Sequence, residues 1–184
     1  MAALGEPDER LMDRTADGDR ACLELLVRRH ATPLLSFLLR LCGDRHRAEE
    51  LFQEVFLAVW IKRRLYQHAR PFKPWLYAIA LNKCRAAYRG RQASTAPLTE
   101  EGPASADASP ADAVVAAETA DYVGRAVARL PDQQRAVVTL RVWEGLSYAR
   151  IAEIVECSEA TVRSHMHHGL AALRKQLEQK LAHF

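Results

Sequence analysis

The chain has 184 residues, of which 49% are hydrophobic and 27% charged, with only eight glycines and eight prolines. This composition is typical of helical globular structure in one domain or two small ones. No apolar run approaches the roughly 20 residues that a membrane-spanning helix needs. The first residues also lack the basic and apolar segments of a signal peptide. We therefore expect a cytoplasmic protein.

Positive charge is concentrated in one part of the sequence. Between Glu54 and Glu100 there is no carboxylate, yet this interval contains nine lysines or arginines and seven aromatic residues. We call residues 55–99 the basic stretch. A surface of one charge sign attracts a polyanion, and flat aromatic rings can stack on unpaired bases. The pattern indicates a surface that binds nucleic acid.

The first part of the chain is predicted to be helical. Residues 19–42 are strongly apolar, and Pro33 either kinks this segment or begins a second helix. A helix is predicted over 44–62, with Asp44 as its N-cap, because apolar residues recur there with helical spacing. A further helix is expected to begin at Pro74, since proline is favoured at a first helical position.

A change of composition divides the chain. Residues 92–117 contain three prolines, many small residues and four acidic residues, but no base and no aromatic residue. Such a segment cannot bury enough surface to offset its ordering entropy, so it is predicted to be a flexible acidic linker. Two domains are expected on either side of it, at 8–91 and 118–184.

The second domain is predicted to contain four helices and no strand, which gives an all-α fold. Ser147 and Ser158 are each placed to cap a helix, and residues 147–168 have the proportions of a helix-turn-helix. Glu156 occupies a turn position where a positive φ is often required. From the spacing alone, an ordinary helical hairpin remains an alternative.

Longer motifs point to one family. The second domain contains Leu130-Pro131-Asp-Gln-Gln134-Arg135, Trp143-Glu-Gly145-Leu-Ser147-Tyr-Ala-Arg-Ile151-Ala152 and Ser158-Glu-Ala-Thr161-Val162-Arg163-Ser164. It resembles the promoter −35-binding domain of bacterial sigma factors of the extracytoplasmic function (ECF) group. The first domain, through Gly18-Asp19, Ala48-Glu-Glu-Leu-Phe-Gln53-Glu54-Val-Phe56 and Trp75-Leu76-Tyr-Ala-Ile79-Ala-Leu-Asn82, resembles the other conserved domain of that family.

The resemblance implies a subunit without catalytic activity that binds RNA polymerase core, recognises −35 and −10 promoter elements and helps to open the DNA. It places polymerase binding on the helix over 44–62, against the clamp coiled coil of the largest polymerase subunits. There a mixed acidic and apolar line runs beside the core-facing residues, which suits such an interface. Its members are Glu50, Gln53, Glu54, Leu57 and Ile61. The alternative is a solvated face with two stray apolar residues.

By the same resemblance, the loop after this helix captures a flipped base of the −10 element. Stacking of a base on an aromatic ring contributes roughly 1–3 kcal/mol, which can offset the cost of extruding it. Tyr66, Gln67 and His68 are the predicted readers. Phosphate contacts are predicted for the basic residues around them, which are Arg63, Arg64, Arg70, Lys73, Lys83, Arg85 and Arg89. Trp75 is assigned to the core in preference to base stacking.

The second helix of the helix-turn-helix is predicted to read the −35 element. The residues assigned to it are Ser158, Thr161, Arg163, Ser164, His165, His168 and Lys175. The family favours arginines where this chain has histidines after Ser164. Histidine is mostly uncharged at neutral pH, so binding at −35 is expected to be weaker or more pH-sensitive than is usual in the family.

Two other classes of function compete with this one. A stand-alone helix-turn-helix regulator that binds duplex DNA as a dimer would fit the second domain but leave the motifs of the first unexplained. An enzyme is disfavoured because no constellation of nucleophile and base occurs. No cofactor is expected, and no metal, since His165, His168 and Cys157 supply only three ligands where structural zinc sites use four. An anti-sigma factor is an expected further partner by resemblance.

Overall fold

A computed structural model describes residues 5–93 and 122–181, and within these ranges it contains helices and no strand. The all-α fold predicted from the sequence is therefore confirmed. The N-terminal bundle comprises α1 (Asp8–Ala16), α2 (Arg20–Cys42), α3 (Arg45–Lys62), a 3-10 turn (Arg63–Leu65) and α4 (Phe72–Ala93). The C-terminal bundle comprises α5 (described over 122–128), α6 (Asp132–Val142), α7 (Tyr148–Val155) and α8 (Glu159–Leu181).

Helix α2 runs through Pro33 without ending there. Its first turn is fixed by Asp19, whose side chain accepts hydrogen bonds from the backbone N–H groups of Ala21 and Cys22. A proline inside a helix removes one backbone hydrogen bond, at a cost of roughly 3 kcal/mol. Leu34 and Phe37, which lie within the next four residues, are fully buried. Their packing compensates for the lost hydrogen bond.

The next helices begin where a carboxylate caps them. Asp44 accepts the backbone N–H of Arg47 and caps α3, as predicted. Helix α4 begins at Phe72, two residues before the predicted start at Pro74. The reason is long-range, because Glu9 of α1 accepts the backbone N–H of Phe72 at 3.0 Å. This cap lies 63 residues away in sequence and is invisible to a local pattern.

At its other end, α4 extends to Ala93 and so includes the first two residues of the predicted linker. The remainder of that linker, 94–117, lies outside the described residues, as do residues 118–121. The domain boundaries drawn from the sequence stay a prediction.

The helix-turn-helix is present in the C-terminal bundle. Ser147 caps α7 by accepting the backbone N–H of Arg150, and Ser158 accepts that of Thr161 at 3.1 Å in the first turn of α8. Between the two helices Glu156 adopts a left-handed conformation with φ of 61°. Both caps and the positive φ agree with the sequence prediction. The turn thereby directs α8 across α7 with its first residues exposed to solvent.

The two bundles contact each other through α4 with α7 and through α2 with α6. Within the N-terminal bundle, helix α4 also packs against α2 and α3. Leu76 and Ala80 are fully buried, and the Tyr77 ring packs edge-on against Phe37 at a centroid separation of 4.9 Å. No helix among the described residues has the length and apolar character to cross a membrane.

A close approach of α8 to α6 depends on Gly169. A Cβ atom added there would lie 2.7 Å from Cγ2 of Val138, which is inside van der Waals contact. Overpacking of this kind costs typically 1–3 kcal/mol. Replacing a helical glycine by alanine otherwise stabilises a helix by about 1 kcal/mol.

We expect Gly169→Ala to lower the free energy of unfolding, because the clash outweighs the gain in helix propensity. Gly90→Ala is the matched control, since Gly90 is helical and an added Cβ would meet nothing within 4 Å. The control should be neutral or stabilising in the same urea titration. Equal stabilisation by both substitutions would contradict the close approach.

Candidate nucleic-acid interface

The loop between α3 and α4 carries a group of exposed polar side chains over a buried ring. Gln67, His68 and Arg70 are exposed, whereas Tyr66 is buried. The Tyr66 hydroxyl donates to the backbone carbonyl of Arg70, which closes the loop on itself. The ring also packs edge-on against Trp75 at 5.1 Å.

The predicted role of Tyr66 as a base-stacking residue does not agree with this placement. Its ring lies under the loop, against Phe72 and Trp75, and is not offered to a ligand. The sequence shows that the loop contains aromatic residues, but it does not show which of them are exposed. The hydrophobic effect buries a large ring when neighbouring rings can cover it. Tyr66 therefore shapes the loop from beneath. Trp75, half-buried in the same cluster, lies where the sequence analysis assigned it.

Carboxylates of α1 hold this loop from the opposite side. Glu9 caps the start of α4, and Asp13 contacts the imidazole of His68. Helix α1 is itself anchored to α2 through Asp8, which bonds to His30 at 2.8 Å and to Arg29. Burial acts to raise the pKa of Asp8, but these hydrogen bonds and charges prevail and lower it below its ordinary value. Sequence reasoning did not assign any role to α1.

The basic residues of the predicted −10 surface divide into two groups. Arg64, Arg70 and Arg89 are exposed. Four others are engaged within the protein. The Arg63 guanidinium lies 4.1 Å from the centre of the Trp60 ring and donates to its backbone carbonyl, while Lys83 pairs with Glu54 at 3.1 Å.

The remaining two, Lys73 and Arg85, reach across to the C-terminal bundle. Lys73 lies 3.3 Å from the carboxylate of Glu144. Arg85 donates to the side-chain oxygen of Gln133 at 3.2 Å and to the backbone carbonyl of Val155 at 3.4 Å. A stretch without carboxylates in the sequence thus receives carboxylate and carbonyl partners from elsewhere in the fold.

The start of α8 presents the residues predicted to read the −35 element. All are exposed except His165, which is half-buried: Ser158, Thr161, Arg163, Ser164, His165, His168 and Lys175. The Arg163 guanidinium lies 4.6 Å from the centre of the Tyr148 ring of α7 and pairs with Glu159. Among the described residues, no group of three histidine, cysteine or acidic side chains is placed to hold a metal ion.

A line of exposed apolar residues follows α3 into the 3-10 turn. Leu57 is 58% exposed, Ile61 67% and Leu65 73%. They recur every four residues and so lie along one face. Leu65 was not assigned by the sequence analysis, although its spacing from Ile61 could have identified it. Of the acidic residues beside this line, Glu54 pairs with Lys83 and Glu50 with Arg47.

Family models match both bundles. Residues 26–94 match sigma-70 region 2, and residues 120–173 match sigma-70 region 4. The chain is also 31% identical to the ECF RNA polymerase sigma factor SigW of Bacillus subtilis, over 87% of this chain and 91% of that protein. The chain belongs to the ECF group of the sigma-70 family. It is therefore a promoter-recognition subunit of RNA polymerase, as the resemblance had indicated.

Other relatives support the same family assignment. RNA polymerase sigma-H factor of Pseudomonas aeruginosa is 30% identical over 96% of each chain, and the ECF sigma factor ShbA of Streptomyces griseus is 35% identical over 92% of this chain and 94% of that one. Among solved structures, CnrH in complex with the cytosolic domain of CnrY superposes with a TM-score of 0.73 at 22% identity, covering 95% of this chain and 99% of that one. This last likeness shows a shared fold.

Tyr66 supplies a pH-dependent test of the loop. Burial, with the nearby carboxylates of Glu9, Asp13 and Asp8, raises its pKa from 10.0 to about 12. A raised folded-state pKa contributes stability that is complete below the unfolded value near 10 and is lost as the pH rises toward 12.

We expect the stability of the wild type to fall more steeply between pH 10 and 12 than that of Tyr66→Phe, which has no phenol to ionise there. At pH 8 the variant should be less stable by about 1 kcal/mol, for the lost hydrogen bond to Arg70. Denaturant unfolding at a series of pH values measures both effects. Tyr88→Phe, at an exposed ring, serves as control and should follow the wild type.

Proposed function

We propose that this sigma factor works through three surfaces: the apolar line on α3 for polymerase core, the loop after it for the −10 element, and the start of α8 for the −35 element. It acts by binding, with no catalytic step of its own, and it acts in the cytoplasm, where promoter DNA and polymerase meet. The observation that carries the proposal is the exposed line of Leu57, Ile61 and Leu65 beside the loop.

Polymerase binding is assigned to that line because exposed leucine and isoleucine in a row are costly unless a partner covers them. The flanking Glu50, Gln53 and Glu54 give the interface an acidic rim suited to a basic helical partner, the clamp coiled coil. The pairs of Glu54 with Lys83 and of Glu50 with Arg47 lie at this rim.

At the −10 element, Gln67 and His68 are the proposed readers of an extruded base, because they are the exposed polar side chains at the crest of the loop. Arg64, Arg70 and Arg89 are the proposed phosphate contacts, because their side chains are exposed. Tyr66 is proposed to position this loop from beneath. Arg63, Lys73, Lys83 and Arg85 would bind phosphate after leaving their partners within the protein.

At the −35 element, Ser158 and Thr161 lie at the N-terminus of α8, where the helix dipole favours an anionic phosphate. Arg163 and Ser164 follow on the exposed surface, with His165, His168 and Lys175 further along the helix. We propose that this end of α8 enters the major groove, as in other helix-turn-helix proteins.

An anti-sigma factor is the proposed regulatory partner. Support comes from the fold, since the sigma factor RpoE from Bartonella quintana, in its complex with the anti-sigma factor NepR, superposes with a TM-score of 0.73 at 22% identity, over 84% of this chain and 96% of that one. The stand-alone dimeric regulator is not favoured, because residues 26–94, which form most of the N-terminal bundle, match region 2.

Run-off transcription tests the proposal directly. Core polymerase with this protein should give promoter-specific transcripts from a pool of genomic promoters, and core polymerase alone should not. Leu57→Ser combined with Ile61→Ser should abolish these transcripts by weakening core binding about a hundredfold or more, since two leucine-sized side chains that become buried in the complex contribute about 3 kcal/mol or more.

Leu177→Ser is the matched control, an exposed leucine on α8 away from the α3 line. It should leave both core binding and transcription at wild-type levels. If the protein gives no transcript with core polymerase but binds palindromic DNA tightly as a dimer, the proposed function is wrong and the stand-alone regulator is correct.

The salt dependence of −35 binding tests the role of α8. His165→Arg combined with His168→Arg should strengthen binding to a promoter duplex and steepen the logarithmic salt slope by about two, since each added phosphate contact changes it by about 0.9. His46→Arg adds one such charge on the exposed start of α3 and should leave the slope unchanged. A slope insensitive to all three substitutions would remove α8 from the interface.

A further inference from the structure

One side chain of the loop between α3 and α4 is held by α1, a helix that has no part in the three proposed surfaces. Oδ1 of Asp13, on α1, bonds to Nδ1 of His68, which lies 55 residues further along the chain. The side chain of His68 is nevertheless 64% exposed, and that of Asp13 is 41% exposed. The imidazole is therefore fixed at one nitrogen while most of its surface remains open to a ligand.

Helix α1 gives this contact a firm base. Leu11 and Met12, which directly precede Asp13, are fully buried. At the start of the helix, Asp8 pairs with His30 of α2 at 2.8 Å. Helix α1 cannot rotate about its axis without exposing the two apolar side chains, so Asp13 faces the loop in one register.

The loop constrains the imidazole from its own side. The backbone N–H of Arg70 donates to the carbonyl of Gln67 at 2.8 Å, which places His68 inside a tight turn. The Tyr66 ring lies edge-on to the imidazole, with ring centroids 6.1 Å apart and ring planes at 86°. The turn, the ring and the carboxylate together restrict the orientation of the imidazole.

The carboxylate also decides which imidazole nitrogen carries the proton. A neutral imidazole has one donor and one acceptor nitrogen, and an ionised carboxylate can only accept. The bond to Asp13 therefore requires an N–H group at Nδ1 of His68, and in the neutral ring this makes Nε2 an acceptor. Among the residues that the structure describes, none forms a hydrogen bond with Nε2.

An acceptor at this place distinguishes between the bases. The N6 amino group of adenine and the N4 amino group of cytosine are donors on the edge that an extruded base presents. At the equivalent place thymine has O4 and guanine has O6, which are acceptors. Nε2 of His68 can pair with either amino group, whereas a carbonyl oxygen would leave two acceptors opposite each other without a hydrogen.

We propose that Asp13 is a positioning residue for recognition of the −10 element. It fixes His68 in the Nδ1–H tautomer, so that Nε2 accepts a hydrogen bond from the exocyclic amino group of an extruded adenine or cytosine. This inference rests on the proposed role of His68 as a reader, but the tautomer itself does not. The amide of Gln67, the other proposed reader, can donate or accept, so the selection for an amino group lies with His68.

Heteronuclear NMR of the imidazole nitrogens in the full chain tests the tautomer at pH 8, where an imidazole is ordinarily neutral. We expect the Nδ1–H form in the wild type, identified by the signal that is lost in His68→Gln. Asp13→Ala removes the acceptor and should give a mixture of both tautomers. Asp17→Ala is the matched control, because Asp17 is an exposed carboxylate at the C-terminal end of the same helix.

Forked promoter fragments bound by the complete holoenzyme test the base preference. The fragments come from a promoter identified by run-off transcription and differ only at the extruded base. Replacing adenine by purine, or cytosine by pyrimidinone, removes the amino group alone. We expect this change to weaken binding by the wild type and by Asp17→Ala about fivefold, as for one hydrogen bond, and by Asp13→Ala about twofold or less.

Each result decides a separate point. A proton on Nε2 of His68 in the wild type, or a tautomer that Asp13→Ala leaves unchanged, overturns the inference whether or not the protein supports transcription. If Asp13→Ala weakens binding to all fragments equally, Asp13 has only a structural role and the inference is wrong. Absence of run-off transcripts together with the Nδ1–H form in the wild type would overturn the proposed function and leave the hold of Asp13 on His68 intact.

Discussion

The helix on which the rest of the structure depends is α4, because three other parts of the molecule meet on it. Its first N–H group is bound by a carboxylate of α1, its inner face is buried between α2 and α3, and its Lys73 and Tyr77 receive Glu144 of the C-terminal bundle. These contacts fix the position of the loop that precedes α4. A helix fixed at its first residue and along one face can present that loop in one conformation, which recognition of a single base requires.

Much of this fold could be predicted from the sequence, wherever the determinants are local. The periodicity over 44–62, the Asp44 cap and the two serine caps of the helix-turn-helix are short-range features, and the structure has all of them. The start of α4 was placed two residues late because its cap comes from Glu9. Neither helix propensity nor periodicity contains information about a partner so distant in the chain.

The candidate site was predictable in outline and not in its details. A run of residues without carboxylates indicated a basic surface, but Lys83 and Lys73 find their carboxylates in Glu54 and Glu144 once the chain folds. Tyr66 was assigned to base stacking from its residue type, whereas burial against neighbouring rings decides where a tyrosine goes. The charged and aromatic residues of a sequence indicate what a surface could contain. Tertiary contacts decide which of those side chains remain exposed and able to bind a partner.

The pairing of these cations within the chain has a consequence for the protein in a cell. A chromosome offers on the order of a million or more nonspecific sites to any protein with exposed positive charge. Lysines held by Glu54 and Glu144 contribute less to that nonspecific attraction than free lysines would. A sigma factor built in this way is less readily sequestered by bulk DNA, so a larger fraction of the protein remains free to find polymerase.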